Sequence, residues 1–301
     1  MEKPTTKDNI TSYLFLLPFA FIFLTFLAYP IIYSLWLSFH KVTNLYDVFG
    51  GLQYIGLRNY ITLLSDPEFW WAVAMTFYYA ILSIPLNIIV SLILAILMHR
   101  GLKATNIYRT AFFMPYVLDI FVVAIVWTFI YSAPYGILPQ LMGKIHSNLR
   151  GVNLLATPLA SMPAIVLAMV LKGAGFGMVL FLAGLQNIPK SLYEAGEIDG
   201  ATGFKKHIYI TLPMLRPILL FMVVTGVVAS LSAFAEFYGM TGGGPTISLG
   251  GQALGVTRVT GLYLFRAFEN LKLGYAAATS FILLIFTIAL SLIGVKLIKR
   301  K

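Results

Sequence analysis

Residues Ser191–Pro213 read SLYEAGEIDGATGFKKHIYITLP. The segment lies between two long apolar runs. It carries three of the chain's eleven acidic residues, Glu194, Glu197 and Asp199, together with the adjacent lysines Lys205 and Lys206. Gly196, Gly200 and Gly203 punctuate it. An unpaired charge is not carried into hydrocarbon, so a polar interruption of this length must face water or another protein.

The sequence around it sets the class. Of the 301 residues, 59% are hydrophobic and only 11% charged, and the mean hydropathy is +0.86. Soluble domains carry about 25% charged residues, so this chain would have too little polar surface to stay dissolved. Residues 9–40, 69–97 and 273–295 contain no Asp, Glu, Lys or Arg. Each block exceeds the ~20 apolar residues needed to cross a bilayer. Six spans are predicted, at about 13–39, 69–97, 110–132, 159–183, 217–238 and 274–296. The runs are continuous rather than alternating, and the backbone of each must be satisfied within its own segment. The predicted fold is therefore all-α and polytopic, one membrane domain over residues 1–301. Pro18, Pro30, Pro85, Pro115 and Pro163 predict kinks. The apolar stretch Tyr13–Leu37 outruns the roughly 7–15-residue core of a cleaved leader and reads as an uncleaved first span.

The positive charges orient the spans. With the N-terminus in the cytoplasm, Lys3, Lys7, Arg100, Lys103, Arg109, Lys190, Lys205, Lys206, Arg216, Lys296, Lys299, Arg300 and Lys301 fall inside. Only Lys41, Arg58, Lys144, Arg150, Arg258, Arg266 and Lys272 fall outside, and Lys172 lies within a span. This bias places both termini, and the segment at about 184–216, in the cytoplasm. It also accounts for the net charge of +10 without nucleic acid as a partner. Trp70 and Trp71 fit the outer aromatic belt. Outside, residues 40–68 are expected to hold a short helix ended by Asp66-Pro67, residues 133–158 to be irregular, and Leu262–Phe268 to form a short amphipathic helix.

Several chemistries are excluded or disfavoured. The chain has no cysteine, hence no disulfide or thiolate metal site. It has no GxxxxGK[ST] phosphate loop and no HExxH. Its four histidines, His40, His99, His146 and His207, are scattered, so neither a catalytic metal site nor a Ser/His/Asp arrangement is expected. No cofactor is expected in this chain.

Within the opening segment, Ser191 followed three residues later by Glu194 matches a capping box, predicting a short helix over Ser191–Glu197. A second helix is expected from about Thr202 to a stop at Leu212-Pro213. Spacing alone leaves two readings open: a helix pair presented to a partner's cleft, or a solvated loop resting on lipid headgroups.

The segment resembles the EAA loop of binding-protein-dependent ABC importers, whose pattern is EAA, three residues, Gly, nine residues, Ile, any residue, Leu-Pro. Here Glu194, Ala195 and Gly196 are followed by Gly200, Ile210, Leu212 and Pro213 at those spacings. Gly196 replaces the second alanine, which loosens a helix by ~1 kcal/mol. Tyr13–Phe39, GLRNYITLLSDPEFW, GLQNIPKSLYEA, IDGA, ITLPMLRPILL and TGGGP at Thr241–Pro245 extend the resemblance to carbohydrate-importer permeases. The match is to the TGGGP-bearing subunit type of maltose and glycerol-phosphate systems. The Trp-Asn-Glu-Phe run of the sister subunit is absent, and Ser232–Phe237 reads SAFAEF in its place.

The resemblance implies a type I ABC importer permease fold and one half of a heterodimeric pathway in the cytoplasmic membrane. It also implies a second permease subunit, two cytoplasmic ATPases that bind ATP and Mg, and an extracytoplasmic solute-binding protein. Membrane lipid completes the list of partners. Glu194, Ala195, Gly196, Asp199, Gly200, Ile210, Leu212 and Pro213 would then couple to the ATPase, with Glu194 as its acidic contact and Gly200 as the turn. By the same resemblance Tyr116, directly after Pro115, and Ile120, four residues on, border the solute, with Ser230 and Ser232 on the fifth span.

Asp119, Lys172 and Glu236 are charges within or bordering spans, and such residues face a cavity or one another. They are expected either to line the pathway or, for Asp119 and Glu236, to sit hydrated near the outer interface. Small residues around Lys172 and Gly173 allow close backbone approach, and Phe176 is placed to stack on a sugar face. A secondary transporter or channel working without ATPases is the alternative. It would show mid-membrane coupling carboxylates and an inverted repeat, and the sequence offers at most one deep acid and no repeat.

Overall fold

Four of the six expected spans are continuous runs of helix in the computed structural model, and two are broken. The structure describes residues 6–44, 51–99, 105–147 and 151–299. Lys3, Arg100, Lys103, Arg150, Arg300 and Lys301, used above to orient the chain, lie outside them. Two compact units divide the chain. One comprises Met1–Asp66 and Leu264–Ile282, the other Pro67–Tyr263 and Leu283–Lys301.

In the first unit, α1 (Thr6–Phe23) passes through a π turn, Leu24–Ala28, into α2 (Tyr29–Ser38). Pro30 cannot donate to the helical ladder, and the wider π turn just before it absorbs the interruption. Most side chains described on this span are exposed, which in so apolar a helix calls for a lipid or protein covering. A short hairpin follows, β1 (His40–Val42) against β2 (Leu52–Tyr54), with His40 opposite Tyr54. Then comes α3 (Arg58–Leu64), the helix expected before Asp66-Pro67. Asn59 donates to the carbonyls of Ser38 (2.8 Å) and His40 (3.1 Å), satisfying acceptors left free where α2 ends.

The second unit begins with α4 (Pro67–His99), 33 residues long. The third expected span is two helices, α5 (Thr105–Val117) and α6 (Ile120–Tyr131), bent by 102°. Asp119 causes the restart of the helix. Its backbone is extended (φ −57°, ψ 142°) and its carboxylate accepts the Phe121 N–H at 2.8 Å, an N-cap. Next is α7 (Ile137–Ile145), a helix in the stretch expected to be irregular, followed by α8 (Pro158–Gln186).

The segment after α8 folds as α9 (Lys190–Ile198), α10 (Phe204–Lys206), a π turn over His207–Thr211, and α11 (Leu212–Met214). Two expectations are corrected here. Pro189, not Ser191, is the N-cap of α9, and no side chain caps it. The fixed proline φ suits a helix start, so the capping box is not used. Pro213 does not stop the second helix, which runs to Met214. A proline in the first turn of a new helical stretch costs no hydrogen bond.

The chain then bends by 65° into α12 (Arg216–Leu231). That helix ends earlier than predicted and restarts as α13 (Ala235–Met240), so the helix over residues 217–238 is interrupted. A second hairpin pairs β3 (Thr246–Leu249) with β4 (Gln252–Gly255), followed by α14 (Thr260–Glu269) and α15 (Leu273–Lys299). The fold is thus a polytopic helical one with two small hairpins beyond the helices. Both α14 and α15 run from one unit into the other.

The axis of the second unit is α8, against which α4, α5 and α12 pack. One apolar cluster gathers around Ile165, Val170, Tyr131 and Phe237. The other gathers around Met178, Phe181, Leu185 and Leu215, near the end of α8 that leads into α9. Glycines set the spacing. A Cβ on Gly175 would overlap the Phe112 carbonyl of α5, and one on Gly177 would meet Ser91 of α4 and Met222 of α12. Ser91 donates to the Ala174 carbonyl at 3.2 Å across this contact. Small residues that let backbones approach are the usual means of packing helices in lipid, where no hydrophobic force drives them together.

Candidate functional site

The break between α5 and α6 opens a cavity of about 500 Å³ beside α8. Tyr116, in the last turn of α5, stacks on Phe176 of α8 with ring centroids 4.7 Å apart and planes 12° from parallel. Lys172, one turn before Phe176, donates to the Tyr116 carbonyl at 3.1 Å, and its ammonium lies 5.3 Å from the Tyr116 ring centroid. That carbonyl is one of the acceptors orphaned at a helix end, and a cation there complements the helix dipole. The broken span therefore carries a cation at the end of α5 and an anion, Asp119, at the start of α6.

Two further walls complete the cavity. From α4 come Tyr79, Ser83 and Asn87; from α12, the link after it and the first turn of α13 come Thr225, Ser230, Ser232 and Glu236. Gly173 leaves room for Asn87, since a Cβ there would stand 2.6 Å from its Nδ2. Glu236 is buried, 4% exposed. The Tyr79 hydroxyl donates to its Oε1 at 3.4 Å, and the Tyr79 ring meets Phe237 edge-on at 4.9 Å.

The structure thus brings together Tyr116, Ile120, Lys172, Gly173, Phe176, Ser230, Ser232 and Glu236 around one cavity. Asp119 is not among the lining residues, and its carboxylate faces the Phe121 amide instead. Glu236 is not hydrated at an interface but buried in the cavity wall. Sequence reasoning overlooked the α4 wall. Tyr79, Ser83, Asn87 and Ser91 recur every four residues and so share one face of an apolar helix. That polar stripe was visible in the sequence to anyone weighing uncharged residues as well as charged ones.

The second site is the polar segment. Its first helix, α9, ends in a Schellman motif: Ala201 N–H bonds the Gly196 carbonyl at 2.7 Å and Gly200 N–H bonds the Glu197 carbonyl at 3.1 Å. Gly200 sits at φ +80°, a conformation that glycine adopts without strain. The chain then folds back along α9. Ile210 covers Gly196, where a Cβ would stand 2.5 Å from its Cδ1. Tyr193 OH and the buried Thr211 Oγ1 lie 3.1 Å apart, and Lys206 pairs with Glu197. Glu194, Ala195, Asp199 and Pro213 are exposed, while Ile210 and Leu212 are half-buried. Ile198 is 88% exposed and Tyr209 71%, an apolar surface unusual beside so many charges.

The TGGGP stretch forms a third local structure. Gly242 and Gly243 take positive φ (+59° and +92°), and the Gly244–Pro245 peptide is cis. Thr257 holds the turn, donating to the Gly244 carbonyl at 2.5 Å and lying 2.7 Å from Thr241 Oγ1. Trp71 Nε1 donates to the Gly255 carbonyl at 2.9 Å, tying the hairpin to the start of α4. Among the described residues no group of His, Cys, Asp or Glu is placed to hold a metal ion.

With this geometry in hand, similarity to known proteins is informative. Residues 87–301 match the family described as binding-protein-dependent transport system inner membrane component. The chain is 31% identical over 291 residues to the trehalose/maltose transport system permease protein MalF of Thermococcus litoralis, covering 96% of this chain and 94% of that one. It is 30% identical over 307 residues to the sn-glycerol-3-phosphate transport system permease protein UgpA of Pectobacterium atrosepticum, covering 100% and 98%. A chain of a bacterial alginate ABC transporter, solved in complex with alginate pentasaccharide-bound periplasmic protein, superposes with a TM-score of 0.78 at 23% identity. The match covers 96% of this chain and 93% of that one and shows a shared fold.

Proposed function

The chain belongs to the binding-protein-dependent transport system inner membrane component family, and from that premise we infer that it is one permease subunit of an ATP-driven importer of a sugar or sugar-like solute. It is not itself an ATPase. It works with a second permease subunit, a solute-binding protein and two cytoplasmic ATPase subunits, and ATP and Mg belong to those ATPases. We place the 184–216 segment and both termini on the cytoplasmic side, supported by the bias of Lys and Arg.

One observation carries the coupling role. The α9–α11 hairpin joins the end of α8 to the start of α12, and these two helices supply Lys172, Phe176, Thr225 and Ser230 to the cavity. Leu185 and Leu215, at the two roots of the hairpin, are both buried in one apolar cluster. A displacement of the hairpin therefore moves two cavity walls together, because packed cores shift as bodies rather than deform. An ATPase that grips Glu194, Ala195 and Ile198 differently in its two nucleotide states would bias the permease between two arrangements, the differential contact such a transition requires.

The stacked Tyr116–Phe176 pair and the ring of hydroxyl and amide groups suit the apolar face and hydroxyls of a sugar ring. The relatives named above point to the same solute class. The test is assembly and coupling. The subunit co-expressed with its sister permease and ATPase is expected to co-purify with both, and liganded binding protein is expected to stimulate ATP hydrolysis in proteoliposomes. Failure to retain the ATPase would favour the ATPase-independent transporter. Tyr116→Ala is expected to assemble normally and to lower uptake by about 5- to 150-fold, since an aromatic platform contributes ~1–3 kcal/mol. Unchanged uptake would remove Tyr116 from the pathway.

A further inference from the structure

We propose that Lys172 is a positioning residue: it fixes the end of α5, and through it the Tyr116 ring, in the place where that ring stacks on Phe176 as one wall of the cavity. The consequence for transport rests on reading the cavity as the solute site. Lys172 reaches across from α8 and donates to the Tyr116 carbonyl at 3.1 Å, with its ammonium 5.3 Å from the centroid of the same residue's ring. One side chain thus engages both the backbone and the ring of Tyr116. The place matters because α5 stops at Val117 and the chain bends by 102° into α6. The last carbonyls of a helix have no partner within it, so the end of α5 is held by what meets it from outside. The other contacts of Tyr116 are aromatic, Phe113 at 5.6 Å and Phe176 at 4.7 Å between centroids. Ring pairs tolerate a wide range of offsets and tilts, whereas a charge-assisted hydrogen bond to a carbonyl is directional. Lys172 therefore selects one arrangement among those the rings allow.

Charge gives the same residue a second hold. The end of α5 is the negative end of its helix dipole, and Lys172 also interacts electrostatically with Asp119 and Glu236. The Glu236 carboxylate is anchored by the backbone of Glu236 and Phe234 and by the Tyr79 hydroxyl. Among the described residues Lys172 is the one cation lining the cavity. Without it, the negative end of α5, Asp119 and Glu236 would share one neighbourhood with no cation from the lining between them. Like charges repel most strongly where water is excluded. The element placed to yield is α5, none of whose residues is buried, and its retreat would carry Tyr116 off Phe176.

The test reads the stack and needs no solute, so it can fail while the solute reading, decided by uptake in Tyr116→Ala, stands. Phe176 is replaced by para-fluorophenylalanine in the complete complex in lipid nanodiscs, where its fluorine resonance reports the ring current of Tyr116. Tyr116→Ala defines the unstacked resonance. Lys172→Met keeps the stem without the charge and is expected to shift the resonance most of the way to that position. Lys172→Arg can donate to the same carbonyl and is expected to restore the wild-type resonance. The double variant, Lys172→Met with Tyr116→Ala, isolates any direct effect of the charge on the fluorine and is expected to resonate with Tyr116→Ala alone. An unchanged resonance in Lys172→Met would overturn the proposal. So would an equal shift on both backgrounds, since Lys172 would then not act through Tyr116, and so would Lys172→Arg resonating with Lys172→Met. Where Lys172→Met does not assemble, the shorter and neutral Lys172→Gln serves. It is expected to move the resonance in the same direction, and no movement counts against Lys172.

Discussion

Gly175→Ala tests how the helix spacing supports the cavity. A Cβ on Gly175 would overlap the Phe112 carbonyl oxygen and stand 2.6 Å from its carbon and 2.8 Å from the Phe113 Cα. Unbonded carbons pack at ~3.5–4.0 Å, so α5 would have to retreat from α8 by on the order of 1 Å. The obstacle is backbone, and no side-chain rotation relieves it. Overpacking costs ~1–3 kcal/mol, and replacing glycine in a helix returns about 1 kcal/mol. The upper half of the overpacking range applies to a backbone clash, which leaves a net loss of ~1–2 kcal/mol. The displacement also reaches the site, because Tyr116 lies one turn beyond Phe112 on α5 and stacks on Phe176, one residue from Gly175. Gly184→Ala is the control. Its Cβ meets only the ends of Ile218 and Leu215 side chains, which can rotate away. Thermal melting of the purified complex is expected to fall by roughly 2–8 °C for Gly175→Ala, with weakened sugar binding, and to stay near wild type for Gly184→Ala. A Gly175→Ala complex that melts at or above the wild-type temperature would refute the reasoning, as would Gly184→Ala proving the more damaging.

Three further outcomes are expected. Glu194→Lys places a cation on the exposed face of α9 and should abolish ATPase retention and transport while membrane insertion persists, since misplaced charge costs several kcal/mol; full uptake with normal ATPase stimulation would dismiss the role of Glu194. Tyr193→Phe removes the tie to Thr211, worth ~0.5–1.5 kcal/mol, and should lower stimulation by liganded binding protein about 2–10-fold with assembly unchanged. Stimulation equal to wild type would mean that the two halves of the hairpin need no such tie. Thr257→Val removes the donor to the Gly244 carbonyl at a cost of ~1–3 kcal/mol and should raise protease sensitivity across β3–β4, with Thr257→Ser restoring protection; a Thr257→Val hairpin as resistant as wild type would show that other contacts hold the turn.

Much of this was legible in the chain. Uncharged blocks of more than ~20 residues can only be membrane helices, and the spacing from Glu194 to Pro213 carried the resemblance to an EAA loop. Gly200 was recognised as a turn, and its φ of +80° supplies the reason. The breaks were less legible. Hydropathy averages over a window, and the runs at 110–132 and 217–238 are apolar throughout. Whether such a run continues as one helix depends on local competitors for the backbone, such as the Asp119 carboxylate at Phe121. The capping box at Ser191 failed for a similar reason: Pro189 started the helix first.

By itself the sequence determined that this chain lives in a membrane, crosses it as helices, and holds one charged, glycine-punctuated segment that must face water or another protein. Those are consequences of composition and short-range spacing, which act along the chain. Only the tertiary structure decided that Asp119 holds a helix end rather than lining the cavity. Only there does Glu236 become a buried wall residue facing Lys172's cavity, and only there does Tyr79–Ser83–Asn87 form the third wall. These facts join residues as much as 157 positions apart. They follow from which helices the glycines of α8 allow to touch, a matter of packing that no local pattern encodes.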